Sequence, residues 1–209
     1  MWSYRRILLD KDLAAAKHYM KGTVLDVGGG RKRGDFREPE GVKWLTLDSN
    51  PELKPDILAD AGEIPLPPQS VDCVKCTELL EHVEYPEKVL AEIARVLKLG
   101  GVLVLSVPFN VNIHSDPHDY QRLTDQKLKN MLSGDFDNIS VKKQGLFFTV
   151  LAYMIKQAIY SAKMRLRFCF WFLRPLLDLL VKLDNTKLVI NSKFMSSFTT
   201  GFFVVAVRK

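Results

Sequence analysis

Thr23-Val24-Leu25-Asp26-Val27-Gly28-Gly29-Gly30 is the stretch that decides the fold. Its first five residues read as a buried strand, and the chain then runs straight into three glycines. Glycines there let the backbone turn sharply and approach a ligand that a Cβ would obstruct. A second strand at 42–47 ends on Asp48, about 20 residues downstream, where a carboxylate can accept hydrogen bonds from two ribose hydroxyls. Strand, glycine turn and acidic strand end together form the layout of a nucleotide-binding βαβ unit.

Outward from this unit the pattern repeats. The first twenty residues read as a helix with Ile7, Leu8, Leu13, Ala14, Ala15 and Ala16 as apolar positions, ended by Gly22. Strands are expected at 57–59, ending on Asp60, and at 71–76. A helix introduced by Pro86 and Glu87 carries the apolar face Val89, Leu90, Ile93, Val96 and Leu97, with Gly100-Gly101 as its stop. Residues 102–107 are almost wholly apolar, as in a strand covered on both faces. Further strands are expected at 136–142 and 202–207. Strands alternating with helices predict an α/β fold with a mainly parallel sheet.

The chain has 209 residues, 47% hydrophobic and 26% charged, which suits a single domain over 1–209. Cys73, Cys76 and Cys169 are too few for a disulfide framework and point to a reducing compartment. Cys73 and Cys76 have metal-site spacing, but in a strand i and i+3 face opposite ways and no second pair exists. They are expected in the core, and no metal ligands are expected. There is no apolar signal segment and no run long enough to span a bilayer, so a cytoplasmic location is expected. Net charge is +6. Nearly all the excess sits between residues 146 and 183, so no nucleic-acid surface is expected.

Two cofactor classes use the glycine-turn layout. A dinucleotide needs its pyrophosphate tight on a helix N-terminus and a third small residue for packing. Arg33 occupies that position, flanked by Arg31 and Lys32, which disfavours a nicotinamide dehydrogenase. Asp26 is placed to meet the positively charged amino group of a methionine moiety.

Val24-Leu25-Asp26-Val27-Gly28-Gly29-Gly30 resembles the first motif of the class I S-adenosylmethionine-dependent methyltransferases. Asp60-Ala61-Gly62-Glu63-Ile64-Pro65-Leu66 resembles their adenine-binding stretch, and Ser70-Val71-Asp72-Cys73-Val74 their fourth-strand motif. Leu80-Glu81-His82-Val83, the 92–101 helix end and Ser106-Val107-Pro108 follow in the order of the type 11 group. Leu99 departs from the group's usual proline. The resemblance covers roughly residues 22–145 and the final strand. It implies a Rossmann-like three-layer sandwich with a seven-stranded sheet, the last strand antiparallel, and a helical insert at about 146–190. It also implies S-adenosyl-L-methionine as cofactor, contacted by Gly28, Gly29, Gly30, Asp48, Ser49, Asp60, Ala61 and Thr77 together with Asp26.

Methyl transfer from a sulfonium requires alignment of acceptor and methyl group, and a hydroxyl or carbon acceptor also needs a base. His82, after the fourth strand, and His114 and His118, after the fifth, are the candidate catalytic residues. Loops at the carboxyl ends of parallel strands line ligand crevices. Asp119 and Arg122 read more simply as pins for that loop, and Thr124 as the cap of a following helix.

The segment 146–183 mixes Phe147, Phe148, Tyr153, Tyr160, Phe168, Phe170, Trp171 and Phe172 with lysines and arginines. Two helices broken near Arg174-Pro175 are expected. The segment suits a lid over the acceptor, a helix in the interface of the inner membrane surface, or a homodimer contact. The resulting expectation is methyl transfer to a small-molecule or lipid-linked acceptor, with O-methylation preferred. A catalytically inactive cofactor-binding protein serving as an assembly partner is the alternative.

Overall fold

A computed structural model describes residues 3–29, 34–114, 118–161 and 164–209, and the side chains within 164–172 lie outside that description. Gly30 and the Arg31-Lys32-Arg33 argument therefore fall outside the described residues, as do the side chains of Phe168, Cys169, Phe170, Trp171 and Phe172.

Seven strands form one sheet in the order β3-β2-β1-β4-β5-β7-β6. They are β1 Thr23–Val27, β2 Lys43–Asp48, β3 Ile57–Leu58, β4 Val71–Thr77, β5 Leu97–Pro108, β6 Phe136–Lys143 and β7 Gly201–Arg208. Strand β7 runs antiparallel to both β5 and β6, while the pairs among β1 to β5 are parallel. This is the seven-stranded, mainly parallel α/β sheet that the sequence leads one to expect.

Period-two alternation assigns each strand residue to one of two cores. Leu25, Val27, Val74, Cys76, Leu103 and Leu105 pack with Val89, Leu90 and Ile93 of α2 (Pro86–Val96) and Leu128 and Leu132 of α3 (Asp125–Leu132). Val24, Cys73, Val104 and Phe203 pack on the other face with Leu9, Leu13 and Ala16 of α1 (Tyr4–Ala16). Cys73 and Cys76 are thus fully buried on opposite faces, and burial pushes the Cys73 thiol up to about 12 and raises Cys76 as well. Neither is a ready thiolate.

Two local expectations need correction. Helix α2 ends at Val96, before the glycine pair. Leu97 is buried in the core and its backbone already pairs with Val71, so the ladder captures the chain before a further helical turn forms. Gly100 and Gly101 lie instead in the register shift where β4 pairing passes from Leu97 to Val102. The second correction concerns Pro175, which lies inside α5 (Met164–Leu183). The two helices of the 146–183 segment are α4 (Phe147–Ser161) and α5, so the chain is not broken at Arg174-Pro175.

Two carboxylates, Asp184 buried and Asp178 partly exposed, hold these helices in place. Asp184, just beyond α5, accepts from the backbone N–H groups of Leu146, Phe148 and Thr149 and from the Thr149 hydroxyl. It thereby caps the N-terminus of α4 from a distant point in the chain. Tyr4 donates to Asp178 at 2.8 Å, joining α1 to α5, and Ala152 and Leu177 pack against the same tyrosine.

Arg5, 5% exposed, makes the longest-range polar junction. It pairs through two nitrogens with Glu78, just past β4, and donates to Gln144 and the Thr200 carbonyl. A side chain on Gly201 would collide with the guanidinium, so β7 has to start on a residue without a Cβ. Removing one partner of a buried ion pair strands the other charge at a cost of about 3–5 kcal/mol. Arg5→Ala is expected to lower unfolding stability by that amount in urea melts, several times the effect of Arg37→Ala on the surface.

Candidate functional site

The carboxyl ends of β1, β2 and β4 open onto a cleft of about 390 Å³. Asp26, Gly28, Gly29, Asp48, Ser49, Asp60, Thr77 and His82 all contribute to its walls. Of the expected cofactor contacts, Ala61 lies beneath the surface, in the core, and Gly30 is outside the described residues.

Asp26 follows Val24 onto the α1 face of the sheet, and the β1–β4 register sets it opposite Lys75. The Lys75 ammonium sits 2.7 Å from Asp26 Oδ1. Burial pushes the Asp26 carboxyl up, and Lys75 opposes that shift. Asp26 therefore already has a cation, which the sequence reading did not foresee. A periodicity argument could have found Lys75, since an ionisable residue in the middle of a core strand has to face a polar partner. A Cβ on Gly29 would run into the Asp26 carboxyl. The second glycine is thus required by the packing of the acid beneath it.

At the outer wall the acidic residues are tied by short turns. Asp48 accepts from Asn50 N–H at 2.9 Å, and Asp60 from Gly62 N–H at 2.7 Å. The set of donors and acceptors suits a polar nucleoside with a zwitterionic tail. Asp48 matches ribose hydroxyls, Asp60 an exocyclic amine, and Asp26 with Lys75 an amino acid's two charges.

A second cavity of about 240 Å³ lies beside the first. Its lining includes Arg5, Glu78, Asn112, His114, Tyr153 and Gln157. Glu78 borders both cavities. Burial disfavours its charge, but Arg5 and Ser106 outweigh that and hold the carboxyl below its ordinary range. Tyr153 and Gln157 on α4 donate to Asn112 at 2.6 and 3.1 Å, so the 146–183 segment closes one side of this cavity. Sequence reasoning placed that segment, Tyr153 included, near the site but did not bring Tyr153 and Gln157 to Asn112, because no local pattern links them.

The candidate bases are distributed unevenly. His82 lines the first cavity and His114 the second, with ring centroids 5.2 Å apart and planes at 89°. His118 lines neither. Its carbonyl accepts from His82 Nδ1, and its ring packs against Tyr120. Asp119 is pinned by two Arg122 nitrogens and accepts from His114 N–H at 2.9 Å. The Arg122 pairing drives the Asp119 carboxyl far below its usual range. Thr124 caps α3 by accepting from Lys127 N–H. Both residues thus hold the loop in position.

Residues 38–105 match the sequence profile of the type 11 family, described as a methyltransferase domain. The chain is 33% identical over 112 residues to the ubiquinone/menaquinone biosynthesis C-methyltransferase UbiE of Bordetella parapertussis, covering 44% of this chain and 42% of that protein. It is 28% identical over 102 residues to the uncharacterized protein MJ1123 of Methanocaldococcus jannaschii, covering 45% and 48%. The matched stretches thus span less than half the length of these curated relatives. Among solved structures, a SAM-dependent methyltransferase from Archaeoglobus fulgidus superposes with a TM-score of 0.61 at 17% identity, over 97% of this chain and 94% of that one. Phosphoethanolamine N-methyltransferase 2 of Haemonchus contortus, solved with S-adenosyl-L-methionine, gives 0.59 at 19% identity, over 95% and 52%. The fold is the Rossmann-like methyltransferase fold.

Gly29→Ala is expected to push Asp26 off Lys75 and cost about 1–3 kcal/mol, an overpacking effect readable in thermal or urea melts. An unchanged stability would mean that the glycine turn has room to spare.

Proposed function

We propose that this chain, a class I S-adenosylmethionine-dependent methyltransferase domain of the type 11 group, moves a methyl group to a small-molecule acceptor held in the second cavity. The junction at Glu78 carries this reading, because one cavity has the polar set a nucleoside needs and the other opens directly beside it. S-adenosylmethionine, when bound, supplies an electrophilic methyl group on a sulfonium.

The chain's own residues do the positioning. Asp48 and Asp60 orient the nucleoside end, and Lys75 offers its ammonium to a carboxylate while Asp26 accepts from an amine. Leu79 and Val83 give the cleft an apolar wall beside His82. His82 donates through Nδ1 to the His118 carbonyl, which leaves Nε2 as its second polar atom at the cavity junction. A hydroxyl acceptor has to lose a proton, and two imidazoles at the cavity junction favour O-methylation over transfer to an amine.

The acceptor is proposed to be lipid-linked. Leu173, Leu176, Leu179 and Leu183 are exposed on α5, the middle pair at 52% and 58%. Their three- and four-residue spacing sets them along one side of the helix, with Arg174 and Lys182 nearby. This suits a helix lying in an anionic interface. No helix among the described residues is long and apolar enough to cross a membrane.

Calorimetry with S-adenosylhomocysteine is expected to give one site, with NAD giving none. Asp48→Ala removes charge-assisted hydrogen bonds worth about 1.5–3 kcal/mol, a loss on the order of tenfold to a hundredfold in affinity. Binding untouched by that substitution would refute the cofactor assignment. Cell extracts supplied with methyl-labelled donor are expected to yield product in the lipid fraction. Cofactor binding with no product in any fraction would favour an inactive assembly partner.

Sedimentation with anionic vesicles is expected to carry down the full chain and to spare a Leu176→Glu, Leu179→Glu variant. Equal sedimentation of both proteins would remove the membrane reading, and a loss of self-association in the variant would assign the face to a second copy.

A further inference from the structure

Glu81 is 2% exposed, and both of its carboxylate oxygens are buried without a hydrogen-bond partner. Among the described residues no other carboxylate has both oxygens in that state. An isolated buried acid costs several kcal/mol when charged, and the sequence gives it no neutralising neighbour within hydrogen-bonding reach. His82 Nε2 lies 3.8 Å from its Oε1. His114 approaches from the loop after β5, edge-on to the same imidazole.

We propose that Glu81, His82 and His114 form a binding site for one divalent first-row transition-metal ion, set in the wall between the two cavities. One ligand atom from each residue already lies within 4.8 Å of the other two. A metal with bonds of about 2.0–2.2 Å holds neighbouring donors roughly 3–3.5 Å apart, so only modest closure is needed. His114 can provide it, because its side chain is 41% exposed and has room to turn.

The surroundings are those of metal-ligating imidazoles, which characteristically use their second nitrogen to donate to a carbonyl or carboxylate. His82 Nδ1 donates to the His118 carbonyl, so Nε2 is the nitrogen left facing Glu81. His114 Nδ1 lies 3.3 Å from the Asn112 carbonyl and 3.6 Å from Asp119, itself held by Arg122. The loop that pins Asp119 therefore has a purpose beyond closing itself. It fixes the tautomer and direction of one ligand through Asp119 and of the other through the His118 carbonyl.

Two imidazoles and one carboxylate select Zn²⁺, Fe²⁺, Mn²⁺ or Co²⁺ over Mg²⁺ or Ca²⁺, and three protein ligands leave coordination positions open. The ion-binding claim does not depend on methyl transfer. Where the proposed function holds, those open positions lie where an acceptor oxygen would enter, and an ion bound to it would make its proton easier to remove.

Chelator-treated full-length protein, titrated with Co²⁺ by visible absorption and with Zn²⁺ by calorimetry, is expected to bind one ion per chain. Excess Mg²⁺ is expected not to compete. Glu81→Gln and His114→Ala should each weaken uptake by tenfold or more, within the range seen when metal ligation is disturbed. His18→Ala, in the exposed turn after the first helix, should change nothing. S-adenosylhomocysteine binding measured on the same variants reports an intact fold and is expected to survive. If Glu81→Gln fails to fold, His114→Ala on its partly exposed loop decides. Absence of saturable Co²⁺ and Zn²⁺ uptake by the parent protein, or uptake unaltered in the folded variants, overturns the site.

Discussion

The Arg5–Glu78 pair is the constraint on which the arrangement of both cavities depends. Arg5 comes from the first turns of the chain, Glu78 from the turn after β4, and Gln144 and Thr200 from either side of the 146–183 segment. One guanidinium therefore gathers four distant pieces of backbone. Glu78 adopts φ +54°, an uncommon left-handed conformation for a residue with a side chain, and its carboxylate is held by Arg5 and Ser106. Beyond that kink, Leu79, His82 and Val83 wall the first cavity while Glu81 is buried.

The sheet supplies position through register. Asp26 and Lys75 are neighbours because β1 and β4 pair in parallel with those residues opposite each other. A slip of one residue would send one of them into the apolar core on the far face. The same alternation separates Cys73 from Cys76. Electrostatics at the cleft floor thus follow from the strand ladder, and Gly29 is left without a Cβ so that the acid can fit beneath the turn.

Helices α4 and α5 are docked by polar anchors as well as by apolar contact. Asp184 satisfies the start of α4, Tyr4 reaches Asp178, and Lys156 lies 5.8 Å from the centre of the Tyr4 ring. Burial lowers the Lys156 ammonium's pKa, and the faces of Tyr4 and Tyr160 offset part of that cost to the charged form. With α1 as their common support, these helices close the second cavity through Tyr153 and Gln157 while leaving a row of leucines on α5 outward.

The strands, their order of appearance, the glycine turn and the two acidic strand ends were legible in the sequence, because each is a local pattern of periodicity or backbone permissiveness. The apolar face of α2 and the cap at Thr124 were legible for the same reason. The end of α2 was not, since Leu97 leaves the helix for a ladder partner in β4 that no local rule contains. Nor did sequence alone pair Lys75 with Asp26, place Asn112 against Tyr153, or set the His118 carbonyl against His82. Those assignments depend on residues tens of positions apart meeting in space, and long-range packing, not propensity, decides which side chains face one another.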